Sequence, residues 1–343
     1  MTSAWQDFLL ERGAHTETGV VSQFGDAAAE LRAARDGGIV APLGHLGLMA
    51  CSGADAQAFL HGQLSNDVKN LTPDRSAYAA YCSAKGRVLA NLLLWREGEA
   101  YCLELARSLL PATQKRLAMF VLRSKVKLAD VSESRPVLGL AGSAAATALT
   151  EFFPALPRHA HQVVHDAANG TLIALPGARF QLIAGLESAE RLWDKLAAVL
   201  TPVGAPCWEW LEIRNGIALI TPATQEQFVP QMANMELIGA VNFQKGCYPG
   251  QEIVARTQYL GQIKRRMVLA HVAGADMPQP GDELFSSALD GPARGMVVNA
   301  QAAPDGGYDL LAVVQTAVIA EVPLRLKSAN GATLRIEALP YPV

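Results

Sequence analysis

The sequence predicts an α+β protein with ferredoxin-like units and a small β-barrel at its C-terminal end. Three observations carry this. The chain has 343 residues, half of them hydrophobic, enough for two or three domains at roughly 100–200 residues each. Helical and strand-like patterns interleave up to about residue 262 without a strict βαβ repeat. Beyond that point short strands follow one another with no long helix between them. Disorder is excluded over most of the length by the apolar fraction. With 29 basic and 32 acidic residues, net −3, the charge balance argues against a general nucleic-acid or anionic-membrane binder. No apolar run reaches the ~18–20 residues of a membrane span. The amino-terminal residues lack the cationic-then-apolar pattern of a secretory leader, so the expected location is the cytoplasm.

Taken in order, residues 1–36 read as helical, with Trp5, Phe8, Leu9 and Arg12 on one face and Asp26 as a cap for the second helical run. Gly37-Gly38 breaks that pattern. IVAPLGHLGLMAC is strand-like, and Ser52-Gly53-Ala54-Asp55 fits a capping box before AQAFL. YAAYCSAKGRVLANLLLW gives two strands around a basic turn and EAYCLELA a third. SLLPATQKRLAMFVLR reads as a helix with a proline in its first turns, and KVKLAD as a further strand. From Pro136 the order is strand (PVLGLAG), helix (SAAATALTEFF), a hairpin around Pro176-Gly177, and a helix with Leu192, Leu196, Val199 and Leu200 on one face. That order has ferredoxin-like character. Residues 201–206 (TPVGAP) read as a linker. RRMVLAHV, DELFS, ARGMVVNA, YDLLAVV, AEVPLRLK and ATLRIEAL are short strands of a small sandwich or barrel. The expected divisions are an N-terminal helical extension over 1–37, a first α/β domain over 38–135 completed by 201–262, a ferredoxin-like domain over 136–200, and the β-barrel over 263–343.

The five cysteines, Cys51, Cys82, Cys102, Cys207 and Cys247, are scattered, odd in number and free of C-x-x-C pairs. A disulfide framework, a zinc site and a four-thiolate cluster are therefore not expected. Cys51, Cys82 and Cys102 lie in strand-like runs, as packed core thiols do. Cys247 differs. Residues 241–270 hold Lys245, Arg256, Lys264, Arg265 and Arg266 against Glu252 alone. Within that basic window, Lys245-Gly246-Cys247-Tyr248-Pro249-Gly250-Gln251-Glu252 places two glycines and a proline within five positions. Such a loop presents a side chain better than it packs one. A cationic neighbourhood favours the thiolate, the nucleophilic and metal-ligating form.

KGCYPGQE closely resembles the K-G-C-[FY]-x-G-Q-E signature of the YgfZ family, folate-binding proteins of iron–sulfur cluster assembly related to the glycine-cleavage T-protein. GADAQAFLHGQLSNDV, CSAKGRVLANL and FVPQMANMELIGAVNFQKGCYPGQEIVARTQYLGQIKRR resemble the same family in the same order. The resemblance runs over roughly residues 40–343. It implies a T-protein-like ring of three domains that receives a tetrahydrofolate, with the folate-binding domain first in the chain. It also implies an accessory function: assembly or repair of iron–sulfur clusters in clients such as a tRNA-methylthiolating enzyme. The motif cysteine maps onto Cys247, with Lys245 beside it as the other reacting-site residue. Gly246, Tyr248, Gly250, Gln251 and Glu252, followed by Arg256, map onto the rest of the loop. Through Cys247 the family's chemistry implies transient engagement of a cluster, a persulfide or a partner thiol.

A folate needs a flat surface for its pterin and cations for its glutamate tail. Trp208, in CWEWLEIRNG, is the family's tryptophan by alignment and the candidate stacking surface, although interdomain packing would use it equally. A second aromatic of some relatives is Leu46 here. Lys85 and Arg87, in the turn of CSAKGRVL, are candidates for the tail, and Glu212 for pterin nitrogens. His61 falls in the motif LHGQLSND and is a candidate lining residue. His159, His161 and His165 have neither the spacing nor a fixed carboxylate for a metal site.

Two other functions compete with the accessory reading. A tetrahydrofolate-dependent aminomethyltransferase of the glycine-cleavage type shares the fold, but T-proteins do not use a thiol in this turn. A cysteine hydrolase needs a histidine beside Cys247, and the nearest in sequence is His271. The expected partners are a folate and iron–sulfur enzymes or cluster-assembly proteins, with no membrane and no direct nucleic-acid contact.

Overall fold

A computed structural model describes residues 3–274, 276–286, 292–319 and 323–343. The chain divides into two compact units. One comprises Met1–Ala56, Leu71–Ala77 and Leu94–Leu211; the other comprises Gln57–Asn70, Tyr78–Leu93 and Glu212–Val343.

The first unit opens on helix Ala4–Leu10, started by a reciprocal capping box between Ser3 and Gln6. Helix Ala27–Asp36 follows, with Asp26 Oδ1 accepting the Ala29 N–H at 2.6 Å as expected. The expectation of helix throughout 1–36 fails between them. His15–Glu17 and Val20–Gln23 pair as antiparallel strands, turning through Thr18 and Gly19, both at positive φ (50° and 83°). The β-branched Thr16, Val20 and Val21 around a turn of that kind favour a hairpin over a helix.

The unit's six-stranded sheet runs in the order Val163–Asp166, Gly170–Leu175, Arg179–Ile183, Val137–Ala141, Ile39–Pro42, Thr201–Pro202. The hairpin around Pro176-Gly177 forms as expected, and Val163–Asp166 adds a strand beyond the expected set. Helices Ser143–Leu149 and Leu186–Ala197 join their apolar faces to one core, where Leu138, Leu140, Leu172 and Leu182 meet Leu149, Leu192 and Leu196. That burial is the main stabilising term. Trp193 sits edge-on to Trp5, with ring centroids 6.1 Å apart. Val199, expected on the buried helical face, lies beyond the helix end and is 68% exposed. The expected linker 201–206 is not one: Thr201 and Pro202 pair parallel with Ile39 and Val40, and Val203 and Gly204 are buried. Its proline and glycine serve a sheet edge and a close backbone approach, since a Cβ on Gly204 would meet Ser22 O at 2.0 Å.

A five-stranded sheet is ordered Ser76–Cys82, Val88–Glu97, Ala100–Ala106, Leu46–Ser52, Lys127–Asp130. The expected capping box at Ser52–Asp55 is absent. Helix Ala56–Gln63 begins after Asp55, whose Oδ2 accepts the Lys125 N–H at 2.7 Å instead. Helix Leu110–Ala118 carries Pro111 in its first turn and stops earlier than its apolar sequence suggests. Residues 119–123 are turns, with Leu122 at φ 46°.

The second unit ends in a six-stranded antiparallel sheet ordered Leu324–Leu326, Glu283–Ser286, Gly295–Ala302, Tyr308–Gln315, Arg265–Val272, Leu334–Glu337. It curls into a half-barrel, with a bridge between Arg325 and Thr333 near its two ends. Inward alternation of Val268, Ala270, Val272 with Leu310, Ala312, Val314 fills its core. The expected strand AEVPLRLK is found as Leu324–Leu326; Ala320, Glu321 and Val322 lie outside the described residues.

Candidate functional site

In the second unit, the loop that carries Cys247 is moored to the segment after helix Ala56–Gln63. Asn242 Oδ1 accepts the N–H groups of Gln244 (2.8 Å) and Lys245 (3.1 Å), an Asx turn that sets the loop's entry. The Asn242 N–H donates to Ser65 O at 3.0 Å. Ser65 Oγ donates to Ala240 O (2.6 Å) and accepts from Ala80 N (2.7 Å). Asn66 Nδ2 donates to Gly239 O at 2.8 Å.

Lys245 points inward. It is 7% exposed, and its ammonium donates to the carbonyls of His61 and, at 2.7 Å, Leu64. These carbonyls close the C-terminal end of helix Ala56–Gln63, where a cation meets the negative end of the helix dipole. The Nζ also lies 4.9 Å from the centroid of the buried Tyr248 ring. Burial brings the Lys245 pKa down to about 8; Asp67 and Cys247 act in the opposite direction. Burial pushes the Tyr248 hydroxyl up, with Cys82 adding to it.

Beyond the cysteine the chain is fixed by backbone contact. Gly250, at φ 81°, precedes helix Gln251–Tyr259. A Cβ there would meet Ser83 O at 2.4 Å and Gly86 Cα and N at 2.6 Å. Gly86, at φ 67°, is closed chiefly by Ile253 Cβ at 2.9 Å, with Gly250 O at 3.2 Å. The turn of CSAKGRVL and the loop KGCYPGQE, distant in sequence, are thus one constellation joined glycine to glycine. Gly246 is different: a Cβ would meet only His61 Nε2, at 3.5 Å.

Between the two anchors Gly246 and Cys247 are exposed, and Cys247 is the exposed one of five cysteines. The other four thiols are pushed up to about 12 by burial. The structure therefore separates one reachable thiol from four inert ones. His61, whose Nδ1 is 3.3 Å from Asp67 Oδ1, faces the loop at Gly246. Sequence spacing pointed to His271 as the nearest histidine, and His271 pairs with Asp309 in the half-barrel instead. Gln251 is half-buried, while Glu252 and Arg256 are exposed on the helix. Lys85 is exposed in its turn, and Arg87 Nη1 donates to Gln227 O at 2.7 Å.

Trp208 belongs to the first unit, on helix Ala205–Arg214. It is fully buried against Gly139, where a Cβ would come within 2.5 Å of Cε3, and the Arg179 guanidinium lies 5.0 Å from its ring centroid. Gln181, opposite Gly139 in the sheet, shares that face and donates to Glu104 at 2.9 Å. The Nε1 of Trp208 and the Oε1 of Gln181 are buried without a hydrogen-bond partner among the described residues. An unmet donor and an unmet acceptor beside a cation fit a heterocycle that carries both kinds of group. Sequence reading had no signal for Gly139, Arg179 or Gln181, which only strand pairing brings to Trp208. Glu212 is half-buried one turn further along the helix, and Leu46 opens a strand as a buried aliphatic residue. His161 and His165 are held by Ser76 Oγ and Thr171 Oγ1, and burial lowers His161 to about 4. Among the described residues no group of three or more His, Cys, Asp or Glu is arranged to hold a metal ion.

Residues 14–171 match the GCVT N-terminal domain. The chain superposes on the aminomethyltransferase T of the glycine cleavage system from Bartonella henselae with a TM-score of 0.82, covering 97% of this chain and 96% of that one at 20% identity. The fold is therefore that of the glycine-cleavage T-proteins. Within that class the relatives are narrower. The tRNA-modifying protein YgfZ of Yersinia pseudotuberculosis is 35% identical over 86% of this chain and 89% of its own length. That of Photorhabdus laumondii is 34% identical over 86% and 90%. The chain belongs to the YgfZ family.

Proposed function

We propose that this protein binds a tetrahydrofolate and supports assembly or repair of iron–sulfur clusters in client enzymes, such as those that methylthiolate tRNA, with Cys247 as the reacting group. The observation that carries the reading is the presentation of Cys247: one exposed thiol held between a buried lysine and a glycine that accepts no side chain. The sulfur of Cys247 would engage a cluster, a persulfide or a partner thiol as its substrate. Clients among enzymes of tRNA modification agree with the names of the relatives, which are called tRNA-modifying proteins. For the folate, Trp208 with its unmet Nε1 donor is the candidate in the first unit, and Lys85, Arg87 and Glu212 are candidates in the second. When bound, the folate supplies one-carbon or redox chemistry.

The test is Cys247→Ser. The variant is expected to fold normally and to quench tryptophan fluorescence with tetrahydrofolate as the parent does, while failing to restore tRNA methylthiolation in a deletion strain. Full restoration by the variant removes Cys247 from the mechanism. Turnover of an aminomethylated lipoyl carrier by the parent protein would make it an aminomethyltransferase instead.

A further inference from the structure

Residues 115–127 form a surface that the site around Cys247 does not use. Lys115, Arg116, Arg123, Lys125 and Lys127 are all exposed, the segment itself contains no acidic residue, and none of the five is ion-paired with a described residue. In their midst three large apolar side chains face solvent: Met119 (60% exposed), Phe120 (45%) and Leu122 (88%). Single exposed apolar residues are ordinary, but three together in a segment of thirteen residues that carries five exposed cations are not.

The backbone adds an independent observation. Leu122 sits at φ 46°, a region costing an L-residue with a side chain about 1–2 kcal/mol. It gains no burial there. The turn is nevertheless held firmly. Ser124 N–H donates to Val121 O at 2.8 Å, Asp55 Oδ2 accepts the Lys125 N–H at 2.7 Å, and Gln114 Nε2 donates to Leu128 O at 3.1 Å. Gly53, at φ 115°, approaches so closely that a Cβ would meet Lys125 O at 2.1 Å. A fixed, strained leucine projecting into water is what a binding surface retains and a structural turn discards.

We propose that residues 115–127 are a docking surface for a protein whose contact face is an apolar hollow ringed by carboxylates. Charge complementarity selects the ring: five unpaired cations seek acidic groups, which steer the approach and fix its register. The apolar centre selects a protein over the other polyanions. Phe120 is the one ring in the patch and is partly covered, and the more exposed Met119 and Leu122 offer none on which a base can stack. A fluid bilayer accepts apolar side chains in any conformation and gives no reason to hold one leucine in a strained one. A preformed pocket does require a single, pre-organised geometry.

The experiment uses the full-length chain with Phe120→p-benzoylphenylalanine as a photocrosslinker in cells, combined with Leu122→Gly and, separately, Lys115→Glu with Arg116→Glu. Glycine suits φ 46°, so Leu122→Gly is expected to keep or raise the melting temperature. The crosslinker should give one ribonuclease-resistant protein adduct, retained in Cys247→Ser and reduced about tenfold or more in both surface variants, the scale of a lost interface anchor. The proposal is overturned by the absence of an adduct, by an adduct that Leu122→Gly leaves unchanged, or by a fall in melting temperature for that variant. It is equally overturned if purified parent protein binds total tRNA, or phosphatidylglycerol vesicles, about tenfold better than the surface variants, since the occupant is then RNA or a membrane.

Discussion

Replacing Gly250 by alanine tests the architecture of the cysteine loop most directly. Its φ of 81° belongs to the left-handed region, where a side chain costs about 1–2 kcal/mol. The added methyl also lands 2.4 Å from Ser83 O and 2.6 Å from Gly86 Cα and N. All three are backbone atoms, so no rotamer change relieves the overlap and the turn itself has to move, an overpacking cost of roughly 1–3 kcal/mol. The expected loss for Gly250→Ala is therefore about 2–5 kcal/mol. Gly246→Ala is the matched control. Its Cβ meets only His61 Nε2, at an ordinary 3.5 Å, so its effect should stay within ~0.5 kcal/mol. Urea unfolding of the two variants gives the difference. Hydrogen exchange adds its location, because the Gly86 N–H, bonded to Ser83 O at 2.9 Å, should lose protection in Gly250→Ala alone. Equal destabilisation by both substitutions, or unchanged exchange at Gly86 in Gly250→Ala, would refute the glycine-on-glycine account.

Two further outcomes follow from the same contacts. Lys245→Met leaves the His61 and Leu64 carbonyls without their donor, a loss of about 1–3 kcal/mol. It also changes the pH dependence: with a folded pKa of about 8 and an ordinary value near 10.5 when unfolded, the parent chain gains stability from this group as pH rises through that window, because only the unfolded state still holds the proton. Urea midpoints of the variant should lack that rise, and an unchanged slope would assign it to another group. Gly139→Ala puts a methyl 2.5 Å from Trp208 Cε3, displacing the ring at a cost of about 1–3 kcal/mol. Tetrahydrofolate affinity, read by fluorescence, should fall with it, and an unaltered affinity in a destabilised variant would remove Trp208 from the folate site.

Much of this was legible in residue order, and the failures share a cause. The hairpin around Pro176-Gly177, the all-β end and the exposed cysteine loop are written in local signals: turn residues, alternation, a basic window. The hairpin at His15–Gln23 was missed because its strands are short, three and four residues, and flanking helical runs dominate any wider window. Residues 201–206 looked like a linker because proline and glycine mark both loops and sheet edges. Only the parallel partner at Ile39-Val40 distinguishes the two. At the site, Cys247 was singled out by composition, while Gly86, Asn242 and the carbonyls that hold Lys245 were not assigned roles. Backbone atoms carry no residue-type signal, and here they form most of the mooring.

That mooring bears on why the thiol is there. From 245 to 248 the chain runs buried, exposed, exposed, buried: Lys245 and Tyr248 bind the loop to the unit, and the two residues between them do not. The sulfur of Cys247 thus adds nothing to the packing, unlike the other four cysteines, each buried in the fold. Removing a group that supports no structure changes stability little, so any large effect of Cys247→Ser has to come from chemistry. The glycines place the opposite constraint. Gly86 occupies the space a side chain on Gly250 would need, and Ile253 the space of one on Gly86, with Gly250 O close by at 3.2 Å, so neither position takes a side chain without a neighbour moving. A loop fixed at both ends and free at its centre holds the Cys247 thiol in place without burying it, which is the arrangement a thiol requires if it is to meet a partner from outside.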